Sequence, residues 1–176
     1  TMLLLARQKM KHGTGYARTF HQQMEQVLPT CLEKGIKVVS NAGGLDPVAA
    51  AQAIQDLGTG AKVASVSGDD LLPRFSEVGD QWHNLDTGEP FTGHPLSANA
   101  YLGARGIVAA LEAGADVVVT GRVTDAALAI GPAAWWHGWD LDDPASLDAL
   151  AGALVAGHVI ECGAQASGGN YAFFRE

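Results

Sequence analysis

The sequence predicts an α/β fold, a Rossmann-like three-layer sandwich on a mostly parallel sheet. Two patterns carry this expectation. Short β-branched runs recur at residues 36–40, 61–66 and 117–119, each opening into a polar loop that contains glycine. Between the runs lie stretches with apolar residues at helical spacing. At 176 residues the chain can bury one sizeable core, so residues 1–176 are read as a single domain. It begins inside a helical pattern at Thr1 and ends on an aromatic run at Phe173-Phe174. The expectation is therefore an incomplete piece of a larger domain.

Taken in order, Phe20, Met24, Val27, Leu28 and Leu32 place a helix over about 16–34, with Gly35 as its stop. A strand over 36–40 leads into Asn41-Ala42-Gly43-Gly44-Leu45, and Asp46-Pro47 reads as N-cap and first helical residue of a helix to about 57. The strand over 61–66 exits at Gly68-Asp69-Asp70. A short helix over 70–78 and a long Gly-, Pro- and Asn-containing loop over 79–95 follow; a loop that long in a compact domain is uncommon and often functional. Residues 99–113 read as a helix closed by Gly114. Val117, Val118 and Val119 read as a strand buried on both faces, the pattern of a parallel sheet. Helices are expected over 125–130 and 147–155, with the tryptophan-rich segment 135–139 folding over the sheet, and 158–161 as a last extended piece.

Composition excludes several classes of partner. A formal charge of −8 with little lysine argues against nucleic acid, whose binders cluster Lys and Arg. No uninterrupted apolar run approaches about 18 residues, so no membrane span is expected. Residues 2–6 are too short and too poorly charged for a signal core, which makes the cytoplasm the expected compartment. Cys31 and Cys162 lie far apart without metal-ligand spacing, so free thiols and no metal site are expected.

The strand exits carry the candidate chemistry, because open α/β sheets bind ligands beyond the carboxyl ends of their strands. Gly43 and Gly44 let backbone amides approach a ligand ahead of a helix N-terminus; the same residues also make a plain tight turn before the Asp46 cap. No GxGxxG or P-loop pattern is present, so neither NAD nor ATP is called for and no cofactor is assigned. Asp69 and Asp70 could serve as a general base or hold a hard cation, while Asp70 could equally cap the next helix. The exit Thr120-Gly121-Arg122-Val123-Thr124-Asp125 is the strongest candidate. Arg122 suits bidentate recognition of a carboxylate or phosphate; the structural alternatives are a salt bridge to Asp125 or Asp116, and Thr124 as a helix cap. Finally, His158, Glu161, Cys162, Gln165, Ser167 and Asn170 crowd into one glycine-containing span. Cys162 with His158 suggests a nucleophile, although cysteine more often packs as a small apolar residue, and Glu161 is an equal candidate for acid or base.

Four blocks of sequence together resemble the AtuA family, the acyclic terpene utilisation proteins. They are Asn41-Ala42-Gly43-Gly44-Leu45-Asp46-Pro47, Ser97-Ala98-Asn99-Ala100-Tyr101-Leu102-Gly103, the segment 114–125, and the segment 157–165. The blocks keep their order over nearly the whole chain, departing at Asp46, where Asn is expected, and at Ser97 and Ser167, where Thr is expected. The resemblance implies a larger protein and a setting in bacterial breakdown of terpenoids such as citronellol and geraniol, through CoA thioesters. It supplies no catalytic residues.

The expected function is therefore an enzyme or enzyme subunit with lyase- or hydratase-type acid–base chemistry on a branched acyl-CoA or organic acid. Asp125, His158, Glu161 and Cys162 are the catalytic candidates. Asn41, Gly43, Gly44, Asp69, Asp70, Asn99, Thr120, Arg122, Thr124, Gln165 and Asn170 are the candidates for substrate binding. The alternative is a non-catalytic ligand-binding or assembly module. The expected partners are a small molecule, a CoA thioester among the options, and a homo-oligomer or other catabolic subunits; neither nucleic acid nor membrane is expected.

Overall fold

The structure, a computed structural model, describes residues 2–77, 82–169 and 173. Three parallel strands form the sheet: β1 (Val38–Ser40), β2 (Val63–Val66) and β3 (Val117–Thr120), in the spatial order β1-β3-β2. Val117 faces Val38 on one side and Val63 on the other. The central place of β3 explains its unbroken valine run, since Val117, Val118 and Val119 lose all solvent contact.

Among the described residues six α-helices accompany the sheet: α1 (Met2–His12), α2 (Arg18–Glu33), α3 (Pro47–Gln55), α4 (Arg105–Glu112), α5 (Ala127–His137) and α6 (Leu147–Cys162). Side chains alternate across a strand, and the core divides accordingly. Val117 and Val119 pack with Phe20, Met24 and Leu28 of α2 and Ala50 and Ile54 of α3. Val118 packs with Ile107 and Leu111 of α4 and Ala127 of α5. Helices thus cover both faces of the parallel sheet, the α/β class that the sequence predicts. From β1 the chain passes through α3 to β2, then returns through α4 to the central β3. This reversal of direction sets α3 and α4 on opposite faces, as the constant hand of parallel crossovers requires.

Local signals hold where they were sharp. The Asp46 carboxylate accepts the Ala49 N–H at 3.2 Å, with Pro47 at the first helical position. Gly35 takes φ +65° just past α2.

Three expectations are corrected. Residues 99–104 are not helical: Asp69 and Ala98 carbonyls accept the Ala100 and Leu71 N–H groups, pairing this segment with the β2 exit before α4 begins. Residues 127–137 form one helix, so most of the tryptophan-rich segment continues α5 rather than crossing the sheet. Residues 158–161 are not extended but lie within α6, where Gly157 lets the helix approach the Ala126 backbone; a Cβ there would lie 3.0 Å from the Ala126 carbonyl oxygen.

The helical stretch Pro144–Ser167 spans 24 residues with mean hydropathy 1.4 in its most apolar window, of which 6% is buried. By length and composition alone it could cross a membrane. The sequence shows no uninterrupted apolar run of that length because Asp148, His158 and Glu161 interrupt it.

Candidate functional site

The reversal of direction also marks the switch point of the sheet. The connection after β1 goes to α3 on one face, while that after β3 goes to α5 on the other, so the exits of these adjacent strands diverge. Ligands of open α/β sheets bind at such a switch point. Asn41, Gly43 and Gly44 belong to the β1 exit and Gly121-Arg122 to the β3 exit. The two exits touch: a Cβ on Gly43 would sit 2.5 Å from the Thr120 carbonyl oxygen and 2.7 Å from Pro47 Cα. Close approach of two backbones is the role of Gly43, with its neighbour Gly44 at φ +54° completing the turn. Thr120 itself is fully buried, and its hydroxyl donates to the Gly121 carbonyl at 3.0 Å, so it serves the turn.

Asp69, 2% exposed, organises the neighbouring side of the site. Its Oδ2 accepts the Arg122 backbone N–H at 2.7 Å and the Asn99 side-chain amide at 2.9 Å. Its main-chain carbonyl accepts Ala100 N–H at 2.8 Å. One buried carboxylate thereby fixes the β2 exit, the β3 exit and the segment 98–102 against each other. Gly121 permits this, because a Cβ there would collide with the carboxylate. Asp70 points elsewhere: it is exposed, and its Oδ1 accepts Leu72 N–H at 3.0 Å, capping a 3-10 turn over Leu72–Glu77. The acid pair is therefore divided between two jobs. Among the described residues no group of three His, Cys, Asp or Glu gathers to hold a metal.

With its backbone held by Asp69, Arg122 directs its side chain to Tyr101. The guanidinium lies 4.4 Å from the Tyr101 ring centroid, and Nη2 donates to the phenol oxygen at 2.6 Å. Neither structural alternative for Arg122 is present. Asp116 is taken by Lys37 at 2.9 Å, and among the described residues no carboxylate pairs with Arg122. Tyr101 was not singled out from the sequence; its place two residues after Asn99 in a polar-aromatic block was the available signal. Thr124 does not cap α5, whose N-cap is Ala126; it is exposed instead.

Three of the remaining catalytic candidates, Asp125, Glu161 and Cys162, lie where α6 ends near the start of α5. Cys162 Sγ donates to Glu161 Oε2 at 3.2 Å, and the half-buried Asp125 lies close enough to act on the same thiol. The hydrogen bond to Glu161 first, then burial and the two negative charges, push the Cys162 thiol above its ordinary pKa. A catalytic thiol needs the opposite. The thiol's partner is thus Glu161, while the His158 ring nitrogen lies 3.1 Å from the Leu154 carbonyl oxygen of its own helix. Gln165 is exposed on a 3-10 turn over Gly163–Ser167. Asn170 lies outside the described residues.

Asn99 additionally borders a cavity of about 560 Å³ beneath the long loop, beside Phe75 and Trp82, whose rings stack at 5.4 Å.

The fold and site together define an α/β protein whose polar groups gather at the carboxyl ends of parallel strands. The chain belongs to the acyclic terpene utilisation family AtuA: the family described as "Acyclic terpene utilisation family protein AtuA" matches residues 1–176, the whole chain. No curated protein and no solved structure matches it.

Proposed function

We propose that this member of the acyclic terpene utilisation family is an enzyme or enzyme subunit that performs lyase- or hydratase-type chemistry on an acidic intermediate, an organic acid or a branched acyl-CoA thioester. The observation that carries the reading is Arg122. A guanidinium held at the sheet's carboxyl edge, oriented by a tyrosine ring and without a carboxylate partner among the described residues, retains donors for an anion. The same loop supplies Asp125 and the end of α6 supplies Glu161, both of which act on the Cys162 thiol. In a hydration, one carboxylate takes a proton from water as its oxygen adds to the β-carbon. The other, in its acid form, returns a proton to the α-carbon, so the net change is addition of water across the double bond. Arg122 holds the acid or thioester end throughout.

The experiment is turnover of methyl-branched 2-enoyl-CoA thioesters, followed by loss of the enoyl absorbance, in wild type, Arg122→Ala and Glu161→Gln. Both variants are expected to fold, by circular dichroism, and to lose at least about 100-fold in rate, the scale of a positioned acid–base group. Unchanged turnover in both sinks the assignment.

A specific observation favours a second reading, a non-catalytic binding or assembly module. Val155, Val159 and Ile160 of α6 are exposed apolar residues beside the carboxylates. Thermal stabilisation by acyl-CoAs without conversion supports that reading.

A further inference from the structure

A cavity of about 700 Å³ opens between the β2 exit and helices α4, α5 and α6. Val66, Leu102, Ile130 and Leu141 line it. Helix α6 supplies Leu147, Leu150, Ala151 and Leu154, the i, i+3, i+4 and i+7 positions of one helical stripe. Its one charged neighbour, Arg105, already forms a bidentate ion pair with Asp142, one arm at 2.6 Å. The cavity lies in the size range of small-molecule sites. Leu147 and Leu154 line it while keeping 59% and 44% of their surfaces in water.

We infer that this cavity is the binding site for the aliphatic chain of a small-molecule ligand. Several observations select that occupant. Among the described residues no aromatic ring lines the cavity, which disfavours a flat base or ring that would seek a stacking partner. Among the described residues no uncompensated charge lines it, which disfavours a polar head group. Saturated chains gain from covering aliphatic surface alone, and here that surface includes two half-solvated leucines. The cavity also adjoins the polar site. Leu102 and Thr124 both line it, and they belong to the ribbon in which Leu102 N–H donates to the Arg122 carbonyl at 3.2 Å and Thr124 N–H to the Leu102 carbonyl at 2.8 Å. A chain seated between α5 and α6 therefore leaves past Thr124 beside the loop that carries Arg122. The inference rests on the reading of Arg122 as an anion holder for the direction of the ligand, and on the cavity alone for its chain. Leu150, Ala151 and Leu154 then set the chain length accepted.

The test titrates the full chain by calorimetry with two probe series, straight monocarboxylates and 1-alkanols of four to eight carbons. Wild type, Ala151→Phe, Leu154→Asp and Arg122→Ala are compared. In wild type, affinity rises about fourfold per methylene in both series, the factor for burying one CH2 group. Ala151→Phe, on an exposed helix position, abolishes the rise for the longer members and leaves four-carbon binding within about twofold. Leu154→Asp weakens the longer members in the same way and serves if the phenylalanine variant misfolds. Arg122→Ala weakens acids and leaves alkanols unchanged. Alkanols that show the rise while acids bind no better support the cavity and overturn the role of Arg122. Affinity independent of chain length, absence of binding in both series, or equal losses for short and long members in both cavity variants overturns the inference.

Discussion

Asp69 accepts the backbone N–H of Arg122 at 2.7 Å, across 53 residues of sequence, through the same Oδ2 atom that accepts the Asn99 amide at 2.9 Å. Asp69 therefore holds the Arg122 backbone in place without forming an ion pair with its guanidinium. Removing the carboxylate in Asp69→Ala leaves two half-buried donors without their acceptor, at about 1 kcal/mol each, the low end for an unsatisfied group. Asp69→Asn is milder, because its amide oxygen can occupy the Oδ2 position and keep both bonds. Chemical denaturation of the two variants measures the difference. An alanine variant as stable as wild type would show that the carboxylate is not structural.

Gly121 is the counterpart of that buried acid. A methyl group at this position collides with a carboxylate that two hydrogen bonds hold in place. Gly121→Ala is expected to lose about 1–3 kcal/mol by overpacking. In the Asp69→Ala background the obstacle is gone, so the same substitution should cost less than in wild type. A double-mutant cycle tests this relationship directly; additive losses contradict it.

How much of this was legible depended on the range of the interaction. The helix N-cap at Asp46 and the buried run at Val117–Val119 are local patterns, and both are found where the sequence puts them. The misreadings have two sources, continuation of a helix and tertiary contact. Val159 and Ile160 are β-branched and suggest a strand, yet they continue α6. Residues 99–104 have helical composition, but the Asp69 and Ala98 carbonyls draw the segment into pairing with the β2 exit. At the site, Asp69, Asn99 and Arg122 were recognisable one by one as chemistry-bearing residues. Their shared hydrogen bonds, and the ring of Tyr101 under Arg122, join positions 21 to 53 residues apart that no local pattern links. The aliphatic stripe of α6 was visible as helical spacing, but the cavity it faces exists only once α4, α5 and β2 surround it.

Asp116 predicts an acid-sensitive component of stability. Its Oδ1 accepts from Lys37 Nζ at 2.9 Å and its Oδ2 from the Lys62 N–H at 2.9 Å, joining the starts of all three strands. The Lys37 hydrogen bond first, then that of Lys62, hold the carboxyl below its ordinary pKa. A lowered folded-state value means that the stabilisation is complete above the unfolded value of about 3.9 and is lost as pH falls through it toward the folded one. Partial exposure keeps the contribution to about 1 kcal/mol at neutral pH. Urea unfolding of wild type and Asp116→Asn at pH 7, 4 and 2.5 should show a gap that closes only in acid. A gap of constant size would assign the effect to packing.

Cys162 offers the sharpest probe of the α5–α6 junction. Two carboxylates raise the pKa of its thiol, Glu161 by hydrogen bond and charge and Asp125 by charge alone. The thiolate is the reactive form, so iodoacetamide should modify Cys162 more slowly at pH 8 than a small reference thiol. Glu161→Gln removes the negative charge and should speed the reaction several-fold, with the midpoint of its pH profile moving down. Asp125→Asn should move it the same way by a smaller amount. The measurement needs a Cys31→Ser background, since both cysteines are free. If neither substitution shifts the profile, Asp125 and Glu161 do not act on a common point, and the acid–base pair proposed for turnover loses its geometric basis.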